Sequence, residues 1–184
     1  IFSSLLTGFL KNISLILIIV IFHECGHIYM IKRYEYEIEK VEIFPFGGIT
    51  RVNKPINTPL KKELWIAFGG VFFQLILFLF FVILHQYGWI RDSTFFLFNQ
   101  YNKTILFFNL LPIIPLDGSI ILHSLLEYFF PFSKAYKRYL LSSTVFFLLF
   151  LIIHTMKSLN NYMIVTFLIF KMIDAYKKRF HMEN

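Results

Sequence analysis

Near the start of the chain the sequence reads His23-Glu24-Cys25-Gly26-His27, two imidazoles four residues apart with a carboxylate between them. On a helix, positions i and i+4 share a face, so both rings can reach one metal ion while Glu24 addresses a water beside it. Metal-assisted hydrolysis is the chemistry that suits this donor set. Zinc held there would polarise a carbonyl and bring the pKa of its water to about 7, and Glu24 would take the proton and return it to a leaving amine. Cys25, two residues from His23, points away from the ligand face at ~100° per residue and reads as a packing residue. The pattern also arises by chance as charged decoration on soluble helices. Here its flanks are Ile and Phe, and polar groups in such surroundings are costly unless they serve a site.

Two histidines leave the set short of the three protein ligands usual for catalytic zinc. Asp117 is the best third ligand, an acid in the otherwise apolar run Asn109-Leu110-Leu111-Pro112-Ile113-Ile114-Pro115-Leu116-Asp117-Gly118. Counted from the charged residues that end each segment, Lys32 and Glu127, His27, His23 and Asp117 lie about 8, 14 and 15 Å deep at ~1.5 Å per residue. Pro112 and Pro115 should interrupt the helix and free backbone groups just before Asp117, which is tolerated where the chain lines protein or water. Gly118 then allows close backbone approach. Asn109 could bind an extended substrate backbone or serve as a helix-packing amide.

The elements that must carry these residues are membrane helices. Of 184 residues, 57% are hydrophobic and 16% charged, more apolar surface than a soluble domain of this size can hide. Uncharged runs such as 13–22, 64–84 and 140–153 read as spans. We expect an all-α polytopic membrane protein with about five transmembrane helices, Leu5–Ile31, Leu64–His85, Thr104–Glu127, Tyr139–Thr155 and Tyr162–Tyr176. The fifth suits a re-entrant or interfacial segment equally well. A short β-hairpin after the first span, at about 36–53, is indicated by Val41 and Ile43 alternating with Lys40 and Glu42 before the turn Pro45-Phe46-Gly47-Gly48. No repeat or linker divides the chain, which reads as one domain over 1–184.

Net charge is +7, but the basic residues sit in short stretches between apolar runs and make no stripe for nucleic acid. Of the 18 Lys and Arg residues, all but Lys11, Arg91, Lys103 and Lys157 fall in the connection 32–63, the connection 128–138 and the C-terminal tail, with Lys171 counted in the tail. The positive-inside rule places that side, and the site's opening, toward the cytoplasm. A single cysteine says little about compartment. The first apolar run carries the His-Glu-His set and has no small-residue cleavage pattern, so it reads as a retained helix and not a signal peptide.

The pair H-E-x-x-H in one span and N-x-x-P-x-x-x-x-D-G in a later one resembles the site-2 protease family of intramembrane zinc metalloproteases. With Phe44-Pro45-Phe46-Gly47-Gly48 and the run 109–118, the chain is most similar to the subgroup that processes a pro-sigma factor during sporulation, over nearly its whole length. The resemblance implies a zinc endopeptidase with His23, His27 and Asp117 as ligands and Glu24 as the catalytic base. It further implies that Asn109 and Pro112 shape the substrate path, that the substrate is a membrane-associated pro-sigma factor, and that regulatory or inhibitory membrane proteins are partners. Gly69, Gly70 and Gln74 resemble the motif that supports the site in relatives, with Val71 where proline is usual. Ser119 replaces a common second glycine. Relatives in the subgroup carry an upstream span and a downstream regulatory CBS domain, and the CBS domain is expected to be absent here.

A helical substrate must be unwound before its carbonyl meets a metal, and the hairpin around Phe46 and Gly47 could hold it by main-chain pairing; packing across the opening is the plainer role. Two other functions use the same residues. A membrane metal transporter would be expected to repeat its half-site in an inverted copy, and only one set is found. A non-catalytic regulator on the same scaffold would be expected to lose Glu24 or a ligand, and all four residues are kept. The remaining histidines, His85, His123, His154 and His181, lack a second residue at ligand spacing and read as interfacial or packing groups.

Overall fold

Residue 33 ends α1 because the chain changes hand two positions later. Helix α1 (Phe2–Arg33) closes with Tyr36 N–H bonding to the Ile31 carbonyl at 3.1 Å and Glu35 N–H to that of Lys32 at 3.0 Å. Glu35 sits at φ 60°, the left-handed conformation on which this double C-terminal bond depends. Lys32 and Arg33 occupy the last turn, where cations suit the helix dipole. The computed structural model describes residues 2–44, 47–53, 59–153 and 159–183.

The reversal feeds a two-stranded antiparallel hairpin, β1 (Glu37–Phe44) and β2 (Gly47–Asn53). Its register runs from Glu37 opposite Asn53 to Phe44 opposite Gly47, with one irregularity between Ile38 and Lys40. Gly47 and Gly48, expected in the turn, instead open β2, paired with Phe44 and Ile43. Pro45 and Phe46 lie outside the described residues.

Helix α2 (Leu60–Gln86) ends as α1 does, this time through a glycine. Gly88 has φ 71°, its N–H bonds to the His85 carbonyl at 3.0 Å, and Trp89 N–H bonds to that of Leu84 at 2.9 Å. Helix α3 (Asp92–Asn109) follows at once, and Asp92 meets His85 Nε2 at 2.9 Å. This corrects the sequence reading, in which residues up to 103 belonged to a connection. Asn99, Gln100, Asn102 and Lys103 stand in this segment, yet Phe98, Asn102 and Ile105 are buried.

The expected third span, 104–127, is two helices. After α3 the chain is non-helical from 110 to 116, and α4 begins at the proposed ligand and runs Asp117–Phe129. The interruption at Pro112 and Pro115 lines protein, as the sequence requires: Ile113, Ile114 and Leu116 are buried, and the Ile114 N–H donates to Ser143 Oγ at 2.8 Å. A Cβ on Gly118 would collide with the carbonyl oxygens of Leu110 and Leu111, so the non-helical stretch folds back over this residue. Helices α5 (Phe132–Ile153) and α6 (Leu159–Glu183) complete the chain; Thr155, the expected end of the fourth span, is outside the described residues. Tyr176 Oη lies 2.8 Å from Thr144 Oγ1, joining α6 to α5.

Among the described residues, three helices are long and apolar enough to cross a membrane: Phe9–Arg33, Leu60–Gln86 and Phe132–Ile152. The chain divides into two compact units, one of residues 1–58 and 65–108, the other of residues 59–64 and 109–184. The first unit packs α1, α2 and α3 around Leu15, Ile19, Val20, Leu77, Phe81, Phe98 and Ile105. Phe81 stacks on Phe98 there, with ring centroids 3.7 Å apart at 9°. Phe98 is fully buried, so Phe98→Ala leaves a cavity that close packing cannot refill. It should cost roughly 3 kcal/mol, read as a lowered thermal midpoint in detergent. Phe80→Ala, at a ring 53% exposed, should leave the midpoint nearly unchanged.

Candidate metal centre

His23, Glu24 and His27 are all buried, and their ligand atoms lie within 4.8 Å of one another. One turn of α1 accounts for this convergence, because residues i and i+4 stack on the same side. Cys25, between them in sequence, is exposed and belongs to another face. The three side chains are thus brought together on one turn of α1, whereas Cys25, read from the sequence as a packing residue, is exposed.

Each imidazole is oriented by a second helix. His27 Nδ1 lies 2.8 Å from the carbonyl oxygen of Ile66. A carbonyl only accepts, so Nδ1 carries the proton and Nε2 holds the lone pair. His23 Nδ1 lies 3.1 Å from Gln74 Oε1, and the Gln74 Nε2 amide donates to the Asn102 carbonyl at 2.8 Å. The two Nε2 atoms approach to 3.1 Å.

Three glycines make this arrangement possible. A Cβ on Gly26 would collide with the Gly69 carbonyl, and one on Gly69 would lie 2.6 Å from the Gly26 oxygen; α1 and α2 thus cross backbone to backbone. A Cβ on Gly70 would stand 2.5 Å from His27 Nε2 and 2.6 Å from His23 Nε2. The missing side chain at 70 leaves a cradle where the two ring nitrogens converge.

The donor set and the cradle fit a zinc ion. Two nitrogens each at ~2.0–2.1 Å from a tetrahedral zinc stand about 3.3 Å apart, near the observed Nε2 separation. Imidazole nitrogens oriented through Nδ1 are the usual first ligands of such a centre.

Other expected residues are placed as follows. Asp117 is the first residue of α4 in the second unit and is half-buried. Asn109 ends α3 and is buried, and among the described residues its Nδ2 has no hydrogen-bond partner. Pro112 lies in the non-helical run and Gly47 at the start of β2; Phe46 is outside the described residues. His85 stacks on Phe95 at 4.3 Å, and His123 meets Glu127 at 3.3 Å among the rings of Phe132, Tyr136 and Tyr139, in keeping with packing roles. His154 is outside the described residues. Sequence reasoning did not find Ile66, Gly26 or Asn102. A backbone carbonyl carries no side-chain signature, and Gly26 looked like a variable position within the His-Glu-His pattern.

Comparison with known proteins gives consistent matches. The family described as Peptidase family M50 matches residues 12–90 and 84–151. Stage IV sporulation protein FB of Bacillus subtilis is 34% identical over 178 residues, 95% of this chain. A zinc metalloprotease of Methanocaldococcus jannaschii is 30% identical over 126 residues, 67% of this chain and 36% of the relative. The chain spans 62% of the length of the Bacillus relative. Among solved structures, the site-2 protease from Methanocaldococcus jannaschii matches with a TM-score of 0.62 at 26% identity, over 90% of this chain and 76% of that one.

Proposed function

The chain belongs to peptidase family M50, and from that premise we propose that it is an intramembrane zinc endopeptidase acting on a membrane-associated protein. One observation carries the proposal: the buried His23-Glu24-His27 group, whose ring nitrogens meet at 3.1 Å over the cradle at Gly70. His23 and His27 hold the ion through Nε2, and Asp117 is its third ligand. Bound zinc supplies a Lewis acid for the scissile carbonyl. Glu24 takes the proton of the attacking water and delivers it to the leaving amine.

Cleavage requires an extended substrate backbone with its carbonyls accessible. Asn109 is suited to bind it, because its buried side-chain amide has donor capacity to offer a peptide carbonyl. Pro112 shapes the same path. The hairpin, in the region of Phe46 and Gly47 that the sequence singles out, holds the unwound segment by main-chain pairing. Residues 1–184 form one membrane domain of about five crossings, with the basic connections and the opening toward the cytoplasm. A membrane-tethered pro-sigma factor in sporulation is the substrate that the motif context supports, and membrane regulators or inhibitors are its partners.

Metal analysis tests the ligand set. The purified chain should hold about one zinc, and chelation should abolish cleavage until zinc is returned. Asp117→Ala should lower the zinc content well below that of the parent protein. Unchanged stoichiometry would remove Asp117 from the ligands.

A further inference from the structure

We infer that Gln74 is a positioning residue that sets the tautomer of His23, and so decides which nitrogen of that ring faces the point where the imidazoles converge. The inference concerns the centre assigned to zinc above and rests on that reading for its functional meaning. Its structural basis is a chain of two hydrogen bonds that permits one proton arrangement.

Gln74 is fully buried, and its amide has one donating end and one accepting end. On one side stands the Asn102 carbonyl, 2.8 Å from Nε2, which can only accept. The amino group must face it. The accepting Oε1 therefore faces His23 Nδ1 at 3.1 Å, and a bond there requires the proton on Nδ1. The Nε2 lone pair then faces His27 Nε2 at 3.1 Å, a separation suited to two ligands of one ion; with no ion bound, a proton between the two Nε2 atoms completes the contact while both Nδ1 protons stay in place. Turning the amide over would set two oxygens against each other at Asn102 and present amino hydrogens to His23. Burial of Gln74 makes two facing acceptors costly and disfavours that arrangement.

The two histidines are thus held by different devices. His27 takes its orientation from a backbone carbonyl within the neighbouring helix, which no substitution at Ile66 removes. His23 depends on one side chain, itself aligned by α3. An imidazole in water favours the opposite tautomer, with the proton on Nε2, so without Gln74 the ring would turn a hydrogen toward the convergence point. Outer partners of this kind typically contribute 10–100-fold to metal affinity.

The test compares the full chain with Gln74→Met, which keeps length and bulk but has no amide. In the metal-free protein labelled with 15N-histidine in micelles, the His23 signal, assigned from its loss in His23→Gln, should report Nδ1–H. In Gln74→Met it should move toward Nε2–H while His27 stays as Nδ1–H. Zinc affinity, measured by competition with a chelator, should fall 10–100-fold with the thermal midpoint retained. An unmoved His23 signal, or a parent protein without a proton on His23 Nδ1, would overturn the inference. If Gln74→Met unfolds, the parent spectrum alone decides it. Failure of the zinc reading is separately visible: the His23 signal would shift as described in a parent protein that binds no zinc.

Discussion

Glu24→Gln should retain zinc and lose cleavage of a membrane-tethered substrate by roughly 10²–10⁴-fold, the usual contribution of a positioned general base. The substitution keeps the shape of the side chain and removes its capacity to take a proton. Glu24 is 4% exposed, packed with His23 and His27, in a setting where a carboxylate is costly to keep. A structural amide could occupy the same volume at lower cost, so the acid calls for a chemical explanation. The measurement pairs zinc stoichiometry with the rate on a tethered substrate. A normal rate with zinc present would reject the base assignment, and loss of zinc would show that Glu24 contributes to binding as well.

Gly70→Ala should do the reverse, removing the metal while the protein stays folded. Its Cβ would stand 2.5 and 2.6 Å from the two Nε2 atoms, and the three nearest atoms all belong to the two imidazoles. The new methyl therefore competes with whatever the nitrogens coordinate. Zinc affinity should drop by more than the roughly 10–100-fold typical of losing an outer partner. Gly69→Ala is the control with a different outcome. Its Cβ would press on the Gly26 oxygen at 2.6 Å and on Met30 Cγ at 2.9 Å, forcing α1 and α2 apart. That variant should show a lowered midpoint. Wild-type zinc affinity in Gly70→Ala would mean that the ring nitrogens do not converge on the ion.

Together the two variants separate the centre into parts. One leaves the ion and removes the proton carrier; the other leaves the carrier and blocks the ion. A membrane metal transporter that used the same residues would lose transport in Gly70→Ala, yet it would have no peptide-bond cleavage to lose in Glu24→Gln.

Much of this protein is determined locally. Two imidazoles and a carboxylate on one turn need only α-helical geometry to meet, so His23, Glu24 and His27 were legible before any fold was known. The break before Asp117 was equally legible, because prolines at 112 and 115 deny the helix two N–H donors wherever they stand. Alternation in β1 and the long uncharged runs likewise reflect single-segment periodicity and composition. Tertiary structure decided what depends on a partner. The polar segment 92–103 is helical because its buried face packs on α1 and α2, which no single-segment pattern displays. The close approach of Gly26 and Gly69, the Ile66 carbonyl on His27, and the Gln74 link from His23 to Asn102 all join residues distant in sequence. Backbone carbonyls and missing side chains do that joining, and neither has a residue signature that can be read before the helices are packed.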